Sequence, residues 1–114
     1  MSDCLFCKMV AGEITPDIVY ETDSVLAFRD LHPRAPTHIL VIPKKHIPTL
    51  ADMTDDDTLL MGEIMQAAKK VAEIEGIADS GYRTVFNCKQ DAGQEVYHIH
   101  LHLLGGRALQ WPPG

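Results

Sequence analysis

Positions 96 to 106 read VYHIHLHLLGG. Polar and apolar residues alternate here with a period of two, the period of a β-strand and of no helix. Successive side chains of a strand point to opposite faces. His98, His100 and His102 therefore share one face, and Ile99, Leu101 and Leu103 share the other. The apolar set is assigned to the core, and the imidazole set is left for chemistry or for water. Gly105 and Gly106 end the strand.

Neighbouring histidines on such a strand stand about 6.6 Å apart, and the outer two about 13 Å. An i, i+2 pair can converge on one metal ion, whereas three on one straight strand cannot. At least two separate tasks are implied. A metal site, nucleophilic catalysis by a neutral imidazole, and a solvated polar face all stay open on the spacing alone. A merely solvated face would more readily use Thr, Lys or Glu.

The rest of the chain supplies a sheet for this strand. Residues 5–12 read as a short helix ending at Gly12. DIVYETDSVLAFRD (17–30) reads as a hairpin, with Ile18 and Tyr20 before a turn at 22–24 and Val25 and Ala27 after it. The two prolines of LHPRAPTH make it a loop. HILVIP (38–43) is a strand whose apolar run at 39–42 requires cover on both faces. The long helix lies at about 55–75. Thr54 and three aspartates open it, Leu60, Ile64, Ala68 and Val71 form its stripe, Met61, Met65 and Ala72 widen that stripe, and Gly76 stops it. YRTVFNC (82–88) is a strand, 89–95 a polar turn, and 96–104 the final strand. Five strands joined mostly by turns, with one long and one short helix, predict an α+β fold with an antiparallel sheet. We read one domain over 1–114, with a Pro-rich tail at about 107–114.

Charge narrows the function. With 10 basic against 16 acidic residues the net charge is -6, which argues against nucleic-acid duplex binding. A local pocket can still hold a small anion on backbone N–H groups. No apolar run approaches the roughly 20 residues that span a bilayer. The N-terminal region lacks a basic stretch before its apolar patch, so a cytoplasmic location is expected. The three cysteines, Cys4, Cys7 and Cys88, do not suggest a disulfide framework. Cys4-x-x-Cys7 is half a zinc site, a redox motif, or two buried thiols on an amphipathic helix.

HIHLHLL (98–104) also matches the pattern His-φ-His-φ-His-φ-φ, with φ apolar. Together with AFRDLHPRAPTHILVIPKKHI (27–47), GYRTVFN (81–87), AGQEVYH (92–98) and the ending GGR…WPPG, it makes the chain resemble the histidine triad nucleotide-binding proteins, in the branch that hydrolyses nucleoside phosphoramidates. The resemblance covers nearly the whole chain. It implies the histidine triad fold, a homodimer and a purine nucleoside phosphoramidase. A dinucleoside polyphosphate hydrolase and a nucleotide-binding adaptor with little catalysis are the alternatives.

Residue by residue, the resemblance implies that His100 attacks the α-phosphorus and that His102 and Asn87 meet phosphate oxygens. Gly93, Gln94 and Glu95 match a phosphate-holding loop. Asp30 matches the ribose-binding acid, and Leu5, Phe6, Met9, Phe28 and Leu31 match the apolar slot for the base. Glu95 departs from the small hydroxyl residue that many members carry there. A carboxylate would repel phosphate, so it either points away or meets the amine part of the substrate. Cys4 and Cys7 with His46 and His98 match a structural zinc set, His38 stands near the triad, and Trp111 matches a tail placed near a partner subunit's site.

Overall fold

Thr37–Pro43 forms the central strand, β3, and every one of its residues is buried, as a continuous apolar run demands. In the computed structural model, which describes residues 3–114, it is flanked by β2 (Val25–Arg29) and β5 (Leu101–Gly105). Beyond these lie β1 (Ile18–Glu21) and β4 (Tyr82–Phe86), giving the order β1-β2-β3-β5-β4 with every pair antiparallel. Helices α1 (Leu5–Val10) and α2 (Thr58–Ile74) complete the expected α+β class. The first two residues of the expected domain lie outside the described range.

The period of two divides the sheet into two apolar layers. Ile39 and Val41 of β3 join Val25, Ala27, Leu101 and Leu103 on one face, packed beneath α2. Leu40 and Ile42 join Leu26 and Phe28 on the other, where Phe6 of α1 covers them. On α2 the buried set is Ile64, Ala67, Ala68, Val71 and Ala72, the i, i+3, i+4, i+7, i+8 pattern of one helical face. Met65, expected to widen that stripe, is instead 46% exposed. No helix among the described residues is long and apolar enough to cross a membrane.

Several boundaries move. The long helix begins with a tight turn at Asp55–Asp57, where the Thr54 side chain accepts from Asp56 N–H and the Asp57 carboxylate accepts from Thr54 N–H. This reciprocal cap satisfies two N–H groups that no helical carbonyl can reach. Lys45 donates to Asp57 at 2.6 Å and so ties the segment before His46 to the start of α2. Helix α1 stops at Val10 rather than at residue 12. Gly12, with φ of +82°, turns the chain away in the left-handed region that favours glycine.

The largest correction concerns the final strand. Expected at 96–104, it begins only at Leu101. Pro43 closes β3 and offers no N–H to a partner. Its carbonyl bonds instead to Nε2 of His98 at 2.7 Å, while Ile99 N–H donates to Ile47 O at 2.8 Å. The groups that would extend the ladder are thus taken by a side chain and by the following loop. The alternation survives: Ile99 is buried, and His98 and His100 both lie against Phe6, with ring centroids 5.8 and 5.1 Å apart.

Candidate active site

Hydrogen bonds fix the tautomers of the central imidazoles. His100 is 8% exposed, and its Nδ1 lies 2.8 Å from His98 O. A carbonyl only accepts, so Nδ1 carries the proton and Nε2 keeps a free lone pair. Arg34 N–H donates to Nδ1 of His38 at 3.0 Å, which leaves the His38 proton on Nε2. That Nε2–H donates to Nδ1 of His102 at 2.9 Å, with Asp30 Oδ2 also 3.4 Å away. His102 in turn carries its proton on Nε2. His100 and His102 face each other with ring centroids 4.9 Å apart. One free lone pair and one oriented N–H therefore sit side by side, as displacement at phosphorus requires. His38 is brought to the triad by register, since it precedes Ile39, which pairs with Leu103.

Burial keeps these rings neutral. Desolvation lowers the pKa of His100 below 6.5, opposed by its bond to His98 O and by the charges of Asp30 and Glu95. Desolvation, helped by His100 and His38, lowers His102 to about 4. His38 is lowered for the same first reason, against the pull of Asp30. The sign for stability follows: an unfolded chain binds these protons near pH 6.5, while the folded chain resists them. For His102, stability present above pH 6.5 is lost as pH falls toward 4, by about 2.5 kcal/mol at pH 4.5. Urea unfolding at neutral pH and at pH 4.5 checks this, and His102→Gln is expected to flatten the difference.

His100 and His102 line a cleft of about 540 Å³. Asp30 lines it too, and its Oδ1 accepts from His32 N–H at 2.8 Å. All five residues expected for an apolar slot are there, and they divide by burial. Phe6 and Phe28 are 3% exposed and belong to the core, whereas Leu5 and Leu31 are 41% and 84% exposed. An apolar side chain as open as Leu31 contributes nothing to the core and remains available to a ligand.

The loop before the triad differs from expectation. Gln94 is buried, and its amide is fully engaged: Oε1 accepts from Lys89 N–H, and Nε2 donates to Pro48 O and Val96 O. The N–H groups of Gly93 and Gln94 donate to Gln90 O and Lys89 O. These residues hold the loop in shape, and neither lines the cleft; Glu95 does. Asn87 is not a lining residue either, although Phe86 pairs with Leu101, so the chain leaves β4 beside His100. Sequence reasoning treated Gln94 as a ligand contact because an amide's intramolecular partners cannot be read from its identity.

Cys4, Cys7, His46 and His98 converge, with their four donor atoms all within 4.8 Å of one another. His98 is fully buried and donates Nε2–H to Pro43 O, so its Nδ1 lone pair points into the cluster. That Nδ1 lies 3.4 and 3.6 Å from the two sulfurs and 3.2 Å from Nδ1 of His46. Ligands around a tetrahedral ion with bonds of about 2.0–2.3 Å stand roughly 3.3–3.8 Å apart, so this donor set fits one metal. Asp30, His38 and His102 also gather their donor atoms within 4.8 Å, but the His38–His102 hydrogen bond already accounts for that approach.

A HIT domain model matches residues 11–109. The chain belongs to the HIT domain family. The purine nucleoside phosphoramidase of Escherichia coli K12 is 51% identical over 107 residues, covering 94% of this chain and 90% of that protein. A crystal structure of a HIT family hydrolase from Legionella pneumophila superposes on this HIT domain with a TM-score of 0.96 and 58% identity, covering 98% of this chain and all of that one. A histidine triad protein from Clostridium difficile gives 0.93 and 46%, with 96% of each chain covered. The triad, the open five-stranded sheet and the long helix of this HIT domain are thus family features.

Proposed function

We propose that this HIT domain is a purine nucleoside phosphoramidase that cleaves the P–N bond of nucleoside 5′-monophosphoramidates. The observation that carries the reading is the bond from His100 Nδ1 to His98 O, which leaves Nε2 free inside the cleft. The activity of the E. coli relative supports it. In the first step His100 Nε2 bonds to the α-phosphorus as the P–N bond breaks, and the amine departs with a proton taken from solvent, to which the attacking water of the second step returns one. The ring then carries positive charge, which strengthens the Nδ1–H bond to His98 O. In the second step water attacks phosphorus, the bond to Nε2 breaks, and the nucleoside monophosphate leaves. His102 Nε2–H and Asn87 serve the phosphate oxygens, and Asp30 accepts from the ribose hydroxyls. Leu5, Phe6, Met9, Phe28 and Leu31 flank the base. At the loop, the N–H of Glu95 takes the phosphate role, since those of Gly93 and Gln94 are already bonded.

A dinucleoside polyphosphate hydrolase would use the same nucleophile, so direct comparison of substrates decides. An adenosine phosphoramidate is expected to exceed a diadenosine polyphosphate in kcat/KM by at least about tenfold, or 1.4 kcal/mol in barrier. The reverse order would transfer the protein to the hydrolase reading. Failure to trap any nucleotidyl adduct on His100 would leave only a binding role.

The reading includes a structural zinc on Cys4, Cys7, His46 and His98. A closed Cys2His2 set supplies no open position for chemistry and would clamp α1 to the loop before the triad. Elemental analysis is expected to give about one zinc per chain, falling well below half in Cys4→Ser. Equal metal in both would remove Cys4 from the set. The reading also includes a cytoplasmic homodimer. Trp111 is 80% exposed under the Arg83 guanidinium and Tyr82 on edge strand β4 is 39% exposed, which supports a partner on that side. Sedimentation at twice the 12.6 kDa chain mass checks it.

A further inference from the structure

Glu95 stands at the boundary of two cavities. It lines the catalytic cleft with His100 and His102, and it also lines a second groove with Asp3, Leu5 and Tyr97. Leu5, Glu95 and Val96 belong to both, so the groove continues the cleft outward. The residue is exposed and makes no hydrogen bond or ion pair with the other described residues. Its backbone cannot carry it away, because Gln94 beside it is pinned by three side-chain bonds to Lys89, Pro48 and Val96.

Among the described residues this carboxylate has no cationic partner. Among the residues lining the cleft the fully charged base is Arg29, and its guanidinium is held by Glu75 at 2.8 Å twice and by Asp17 at 3.5 Å. The Nδ1–H of His100 is taken by His98 O, and Nδ1 of His102 accepts from His38. Beside an anionic phosphoryl group an uncompensated carboxylate costs binding energy, unless the substrate itself carries positive charge on its other arm. The nucleoside arm occupies the apolar slot, so the arm left to meet Glu95 and the outer groove is the amine. Tyr97, 46% exposed in that groove, offers an aromatic face that also favours cations.

We propose that Glu95 sets the leaving-group preference of the cleft, selecting phosphoramidates whose amine part carries a positive charge. This rests on the phosphoramidase reading above and names its substrate class. The test uses three adenosine phosphoramidates with matched chains: one ending in an ammonium, one in a methyl group and one in a carboxylate. In the intact protein kcat/KM is expected to fall in that order, with cationic over neutral by about five- to tenfold at low salt. In Glu95→Gln the cationic-to-neutral ratio is expected to fall to within about twofold of one. Ratios within one preparation cancel any difference in active fraction.

A wild-type ratio near one, or the same ratio in Glu95→Gln as in wild type, overturns the proposal. If none of the three is turned over, the phosphoramidase reading fails by itself. Displacement of a fluorescent AMP analogue by the same compounds then still decides on Glu95. A cationic preference in affinity that disappears in Glu95→Gln supports it, and an unchanged preference overturns it.

Discussion

Replacing His100 with alanine is expected to lower kcat for an adenosine phosphoramidate by at least about 10⁴-fold, since no covalent route remains. The dissociation constant for AMP should change by less than about tenfold, because the nucleoside arm is held elsewhere in the cleft and uniform binding survives loss of the nucleophile. The contrast between the two readouts matters. His100 is buried against Phe6, so truncation also leaves a void, and retained AMP binding shows that the cleft persists. Turnover within about tenfold of wild type would remove His100 from the nucleophile's role.

Leu101→Ala is expected to do the opposite, costing about 3–4 kcal/mol of stability and more than about 10 °C in Tm. Leu101 is one residue from His100 but points to the other face. It is fully buried beneath α2 with Val41 and Ile64, and it pairs with both Val41 and Phe86. Deleting its branched end leaves a cavity at the junction of three strands and a helix, where little can collapse to fill it. The folded fraction should keep near-native kcat per active site. A loss under about 1 kcal/mol, measured by urea unfolding, would contradict this placement.

These substitutions fall on adjacent residues, and their separation onto two faces of the strand was legible from the alternation alone. So were the apolar run of β3, the hairpin before it and the helix with its Thr54 cap, since each depends on near neighbours. The less legible features depend on distant ones. Met65 and Ala67 are equally compatible with a helical stripe until the sheet beneath α2 selects the face. The final strand looked longer than it is because its alternation continues through 98–100, while the ladder stops where Pro43 has no N–H to give. Gln94 looked like a ligand contact, yet its partners lie at Lys89, Pro48 and Val96.

By itself the sequence determined which residue types share a face, where the helices and strands lie to within a few residues, and that three imidazoles on one strand could not serve one ion. These follow from periodicity and bond lengths, which are local. Only the tertiary structure decided what each imidazole meets. It drew His98 to Cys4, Cys7 and His46, gave His100 a carbonyl partner that frees Nε2, and set His38 against His102 across two strands. A tautomer is fixed by the group that happens to lie opposite a ring nitrogen, and that group is chosen by the packing of the whole sheet.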